Sequence, residues 1–236
     1  ILANFSWKSV LLSTTTLATL GGLLMVLLVP NGPYRKAGTK LDITACFGVF
    51  KNNSFRKAAF GYFGHMWELY TFWAFVPFIL KSYTKIHNLH NFNISLLSFL
   101  VIAIGSIACI LSGYLSEKFG ANKIAFLSLL LSCCCCLIAP FAFFTTNATL
   151  FIIFLLFWGM VVIADSPLFS TLVAQNAPSK NKGTALTIVN CIGFSITILS
   201  IQALNSVIHI SSSNYVYLLL AIGPILGLIN LKKGKA

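Results

Sequence analysis

Seven apolar runs, each roughly 17–25 residues long, constrain this chain more than any other feature. They lie near residues 9–29, 58–80, 94–115, 124–144, 150–174, 184–208 and 215–231. A helix of about 20 apolar residues crosses the hydrocarbon core of a bilayer. The runs therefore predict an all-α, polytopic membrane protein with seven transmembrane helices. Polar and turn-forming pieces punctuate them: Pro30 to Pro33, Lys81 to Asn93, Thr145 to Asn147, Pro178 to Gly183 and Ser211 to Asn214.

Composition supports a lipid solvent. Hydrophobic residues make up 58% and charged residues only 8%, where a soluble domain is about a quarter charged. Mean hydropathy is +0.90. Seven Cys are present, with Cys133 to Cys136 consecutive inside an apolar run. Successive helical positions point about 100° apart, so these thiols do not converge on one metal and read as polarizable packing residues. No disulfide framework, zinc-ligand spacing, phosphate-binding loop or nucleophile elbow is present, so the sequence names neither cofactor nor enzyme chemistry. His87 and His90, in an outer loop, read as solvated. The chain starts at Ile1 with no signal-peptide pattern, and the expectation is a fragment or a processed chain.

The net charge of +12 sits between the runs rather than on a nucleic-acid-binding face. The loop at 31–57 carries six Lys and Arg. Lys118, Lys123, Lys180, Lys182, Lys232, Lys233 and Lys235 lie on the same side of the topology, which holds 13 in all. Lys8, Lys81 and Lys85 are the three opposite. The positive-inside bias places the C-terminus in the cytoplasm and the N-terminus outside, with the basic loops against acidic headgroups of the lipid bilayer. The mildly apolar piece Leu41 to Phe50 is too short to span and reads as surface-lying. The parts are thus a single helix at 1–30, a cytoplasmic loop at 31–57 and six helices over 58–236. An odd helix count with an outside start fits either a seven-helix receptor or rhodopsin-like protein, or a larger even-numbered protein lacking its front.

Motifs separate these readings. The third helix ends in Gly113, Tyr114, Leu115, Ser116, Glu117, Lys118, Phe119, Gly120, Ala121, Asn122 and Lys123. This resembles the loop signature of the major facilitator superfamily, Gly-x-Leu-small-acid-base-x-Gly followed by basic residues. Gly113, Leu115, Glu117, Lys118, Gly120 and Lys123 match, whereas Ala121 and Asn122 stand where the family usually has a basic residue. Gly61 to Tyr70 looks like the family's seventh-helix start. Ala164 to Ser170, Ala177-Pro178 and Gly183 to Thr187 look like its tenth and eleventh helices. The resemblance implies family helices six to twelve of a bacterial member, in the inner membrane, with the N-terminal helical bundle missing. It implies secondary transport of a small solute by alternating access, by symport or antiport, and a gating role for Gly113, Glu117, Lys118, Gly120 and Lys123. Glycines let helix ends approach closely, and an acid at a helix terminus can latch to neighbouring basic groups. A retinal protein would need a Lys at the centre of its last helix, and 215–231 has none. A non-transporting remnant of such a protein stays open.

Of four acids in the chain, Glu68 and Asp165 fall inside predicted spans. Each costs about 2.5–3.5 kcal/mol at a helix centre on insertion scales, so it tends to face a cavity or partner. They lie three helices apart, matching the three-helix repeat of such transporters. On the second helix Gly61, Gly64, His65, Glu68 and Thr71 share a face, and His65 stands i, i+3 from Glu68. This spacing predicts a His65–Glu68 pair that holds H+ or a cationic group, with Trp67 nearby. Asp165 precedes Ser166 and Pro167; Pro167 frees a carbonyl that a nearby Ser can satisfy, as at a cavity or hinge. Thr187, Cys191, Ser195, Gln202 and Asn205, with Asn190 beside them, form a polar stripe on the sixth helix, read as helix glue in preference to cavity lining. Asn190 joins Glu68, His65, Asp165 and Trp67 as a candidate for substrate or proton binding. Ser98, Gly105, Cys109, Ser112 and Ser116 form a close-packing face on the third. The first, fourth and seventh helices lack central charge and read as lipid-facing. Gly223 and Gly227 read as a packing contact.

Overall fold

The computed structural model describes residues 6–30, 48–89, 92–179, 182–211 and 213–232. The chain divides into two units, Ile1–Lys40 and Leu41–Ala236. In the first, α1 spans Trp7–Leu28. Its run of Ser and Thr is compatible with a membrane span because the hydroxyls bond backwards: Ser13 donates to the Ser9 carbonyl at 2.8 Å and Thr19 to the Thr15 carbonyl at 2.8 Å.

Among its described residues the second unit is built of helices joined by turns, with no strand. A short 3-10 turn at Val49–Lys51 leads into α2, Asn53–Ile86. Then follow α3 (Ile94–Ala103), α4 (Gly105–Phe119), α5 (Ala121–Ala142), α6 (Ala148–Ala164), α7 (Ser166–Asn176) and α8 (Lys182–Ile210). A 3-10 helix, Asn214–Ala221, continues into α9, Ile222–Lys232. All seven predicted helices are present, two of them broken: the third at Ile104 and the fifth at Asp165.

Among the described residues, six segments are long and apolar enough to cross a membrane: α1, α3 with α4, α5, α6 with α7, α8, and the last 3-10 helix with α9. The exception is α2, whose 34 residues include Arg56, Lys57, His65 and Glu68. Protein buries 17 of those residues, His65 and Glu68 among them, so these two polar groups face protein and not lipid. It packs against α9, α8, α7 and α3. It also begins earlier than its apolar run. Asn52 accepts from the Ser54 and Phe55 amides, so the last residues of the expected 31–57 loop are helical. Of the surface-lying piece, residues 41–47 lie outside the described residues, and Val49 is buried.

Small residues set the closest approaches. A Cβ on Gly64 would strike the Gly223 carbonyl, and one on Gly223 would strike Trp67, so α2 and α9 meet backbone to backbone. A Cβ on Gly159 would meet the Val101 carbonyl, and one on Gly105 the Ile163 side chain. The predicted packing face of the third span is thus pressed on α6.

The core has two apolar clusters. One gathers Phe72, Ile79, Tyr83, Cys136, Trp158 and Leu204, among others. The other gathers Phe55, Met66, Ala125, Phe169, Val173 and Val189. Along α2, α5, α6–α7 and α8 the sequence passes from one cluster to the other through buried polar residues: His65, Glu68 and Thr71, then Ser132, then Asp165, then Thr197 and Ser200. A polar layer therefore crosses the bundle at mid-depth.

Candidate functional site

The polar layer brings His65 and Asp165 together. His65 Nδ1 lies 2.8 Å from Asp165 Oδ1, and each side chain is 1% exposed. The contact is within ion-pair reach but lacks hydrogen-bond alignment. Both Asp165 oxygens and His65 Nε2 are buried without a hydrogen-bond partner among the described residues. Local sequence makes the room: Gly61 has no side chain where the Phe169 ring lies. The rings of Tyr62 and Phe169 each stand 6.2 Å from the imidazole, centroid to centroid.

This corrects the expected pairing of His65 with Glu68. Glu68 Oε1 accepts from Ser132 Oγ at 2.5 Å, Trp158 Nε1 at 2.8 Å and Cys136 Sγ at 3.1 Å. Three donors from α5 and α6 hold one carboxyl oxygen, which turns Glu68 away from its neighbour on α2. Cys136 is therefore more than a packing residue, and α5 presents Ser132 and Cys136 inward. The expectation of a wholly lipid-facing fourth helix does not hold. Ser128, Ser132 and Cys136 recur every four residues, a stripe that was the available sequence signal. Further along the layer, Thr71 and Ser200 hydroxyls lie 2.6 Å apart, and Thr197 donates to the Met66 carbonyl at 3.2 Å.

Asp165 sits at the break between α6 and α7, with φ −87° and ψ −13°. Pro167 has no N–H for the Ile163 carbonyl, as expected. The group that reaches that carbonyl is the Cys109 thiol of α4, at 3.7 Å, rather than a serine. The break lifts Asp165 out of regular helix and aims it at α2.

Other predicted residues lie elsewhere. Trp67 is half-buried and donates from Nε1 to the Leu219 carbonyl at 3.0 Å, an anchor between α2 and the last 3-10 helix. Asn190 is exposed, as are Thr187, Cys191, Ser195, Gln202 and Asn205. The stripe is not glue within this unit, since α8 buries the opposite face of Ala185, Val189, Gly193, Thr197 and Leu204. Glu117, Lys118, Gly120 and Lys123 are exposed at the α4–α5 turn, and Gly113 is half-buried. Gly120 has φ +90°, a backbone conformation that glycine allows. His87 bonds the Phe143 carbonyl at 2.9 Å instead of water. Among the described residues no cluster of His, Cys, Asp and Glu could hold a metal.

Chemically, a buried imidazole and carboxylate at 2.8 Å can share one proton. Among the described residues, Asp165 Oδ1 and Oδ2 and His65 Nε2 have no hydrogen-bond partner. Leaving a buried polar group unpaired costs about 1–3 kcal/mol, so such groups mark sites that engage something else. Comparison with known proteins points the same way: residues 1–201 match the family model described as Major Facilitator Superfamily. No curated protein matches the chain.

Proposed function

Given that the chain belongs to the major facilitator superfamily, whose members move small solutes across membranes, we propose that its transport is proton-coupled and that His65 and Asp165 carry the proton. The supporting observation is the pair itself: two titratable side chains, fully buried at mid-depth, 2.8 Å apart, with unpartnered polar atoms. The pair joins α2 to a helix break. A proton added or removed there changes the attraction across that joint, which is what couples charge to rocking of one bundle against another.

On this reading the chain corresponds to the C-terminal part of a twelve-helix transporter of a bacterial inner membrane. The C-terminus is cytoplasmic, and an N-terminal bundle completes the path. The exposed polar stripe of α8, Asn190 included, faces that path. Glu68 takes three donors on Oε1 and braces the layer next to the pair. Trp67 fixes the depth of α2 beside the site. Gly113, Glu117, Lys118, Gly120 and Lys123 form the gate at the α4–α5 turn.

The test is proton movement. The full polypeptide is reconstituted in proteoliposomes loaded with a pH-sensitive dye and offered a panel of small metabolites. Wild-type protein changes the lumenal pH with at least one solute. Asp165→Asn abolishes the pH change while the protein remains folded. An Asp165→Asn protein that moves protons at the wild-type rate removes the proposal.

A further inference from the structure

A second site lies at the end of the bundle away from Lys85. The first turns of α2 and α5 and the last turns of α7 and α9 enclose a cleft of about 440 Å³. Its walls include Ser54, Lys57, Asn122, Lys123 and Asn176, with Phe126 and Leu231 on the apolar flank. Two lysines thus line one cleft with a serine and two asparagines; Lys123 Nζ rests 5.8 Å over the Phe119 ring at its edge.

Among the described residues the cleft has no counter-charge. The chain has four acids. Glu68 and Asp165 are buried in the mid-depth layer. Glu117 is on α4 and does not line the cleft. Asp42 lies outside the described residues. Among the described residues, neither Lys57 nor Lys123 has a carboxylate within ion-pair distance. The start of α5 adds to the same field. Gly120 gives no side-chain cap, so the first amides of this 22-residue helix, Asn122 and Lys123 among them, have no side-chain acceptor.

We propose that this cleft binds a phosphate oxyanion, and that its source is the headgroup of an anionic phospholipid. The lysines and Asn122 take the phosphate, and Phe126 and Leu231 flank the start of the acyl chains. The cleft lies at the ends of Ala121–Ala142 and Asn214–Lys232, two segments long and apolar enough to cross a membrane, and the ends of a crossing segment meet the headgroups. The proposal does not depend on proton coupling or on any solute.

The test weighs purified chain by native mass spectrometry after reconstitution in mixed phosphatidylcholine–phosphatidylglycerol bilayers. Inorganic phosphate binding is followed in parallel by equilibrium dialysis. Wild-type chain retains phosphatidylglycerol in preference to phosphatidylcholine. A basic residue at a membrane surface is worth about fivefold in anionic-lipid affinity, so Lys57→Gln with Lys123→Gln weakens retention about thirtyfold. Lys57→Arg with Lys123→Arg keeps it, which holds the test readable whatever the Gln pair does to folding. Lys85→Gln, at the other end, leaves it unchanged. Competition by inorganic phosphate would make the source a soluble phosphate with the oxyanion site intact; no competition assigns it to lipid. Equal retention by the Gln pair, an equal loss in Lys85→Gln, or binding of neither probe overturns the site.

Discussion

At the scale of residues, two carboxylates in one layer have opposite situations. Glu68 has three donors on one oxygen, whereas Asp165 has an imidazole beside it and no hydrogen-bond donor among the described residues. Truncating Glu68 to Ala strands the Ser132 and Trp158 donors, at about 1–3 kcal/mol for each unsatisfied group. Glu68→Gln keeps an acceptor oxygen and loses far less. Melting in detergent is expected to fall strongly for Glu68→Ala and slightly for Glu68→Gln, and equal melting of the two would contradict the three-donor arrangement. For the pair, His65→Gln and Asp165→Asn should be non-additive, with a coupling of about 0.5–3 kcal/mol in a double-mutant cycle; strict additivity would mean that the 2.8 Å contact carries no energy. That both acids and His65 would face protein partners was legible in the sequence, because charge in an apolar run is costly. The identity of those partners was not. A separation of three residues brings His65 and Glu68 onto one helix face, but contacts 64 and 90 residues away in the chain decided where Glu68 went.

At the scale of elements, the seven helices were legible because lipid leaves the backbone few alternatives, and run length alone reports the crossing. The break at Asp165 was legible through Pro167. The one at Ile104 was not, since nothing in its apolar neighbourhood prevents a helix; it becomes understandable only beside Gly105 and Gly159, where α4 and α6 press together. Glycines give a sharper test, since the same residue type has two roles here. Gly64→Val forces α2 off α9 and should cost about 1–3 kcal/mol or more by overpacking. Gly113→Ala meets nothing within 4 Å inside α4. It should stabilise the chain by about 0.5–1 kcal/mol, the usual helical Gly-to-Ala gain. If Gly113 belongs to the gate, that same variant loses transport while melting higher. Unchanged transport in Gly113→Ala would mean that its resemblance to the signature has no functional content.

At the scale of the whole bundle, side-chain bonds fix which loops share an end. Tyr83 donates to the Thr145 carbonyl at 2.9 Å and His87 bonds Phe143, so the end of α2 meets the end of α5. Asn52 donates to the Asn176 carbonyl at 3.4 Å, so the start of α2 meets the end of α7. With α5 running 22 residues between its ends, Lys123 and Lys85 are held at opposite ends of the bundle. The charge asymmetry in the sequence predicts the same division and adds a direction, with Lys118, Lys123 and Lys182 expected inside and Lys81 and Lys85 outside. A membrane-impermeant, amine-reactive reagent applied to sealed cells, followed by peptide mass spectrometry, separates the two statements. Lys81 and Lys85 should be modified in intact cells, and Lys118, Lys123 and Lys182 only after the membrane is opened. Reversed labelling would retain the bundle and invert its orientation, moving the phosphate cleft to the outer leaflet. Labelling of Lys85 and Lys123 together in sealed cells would break the fold itself, because α2 and α5 could not then both cross the membrane.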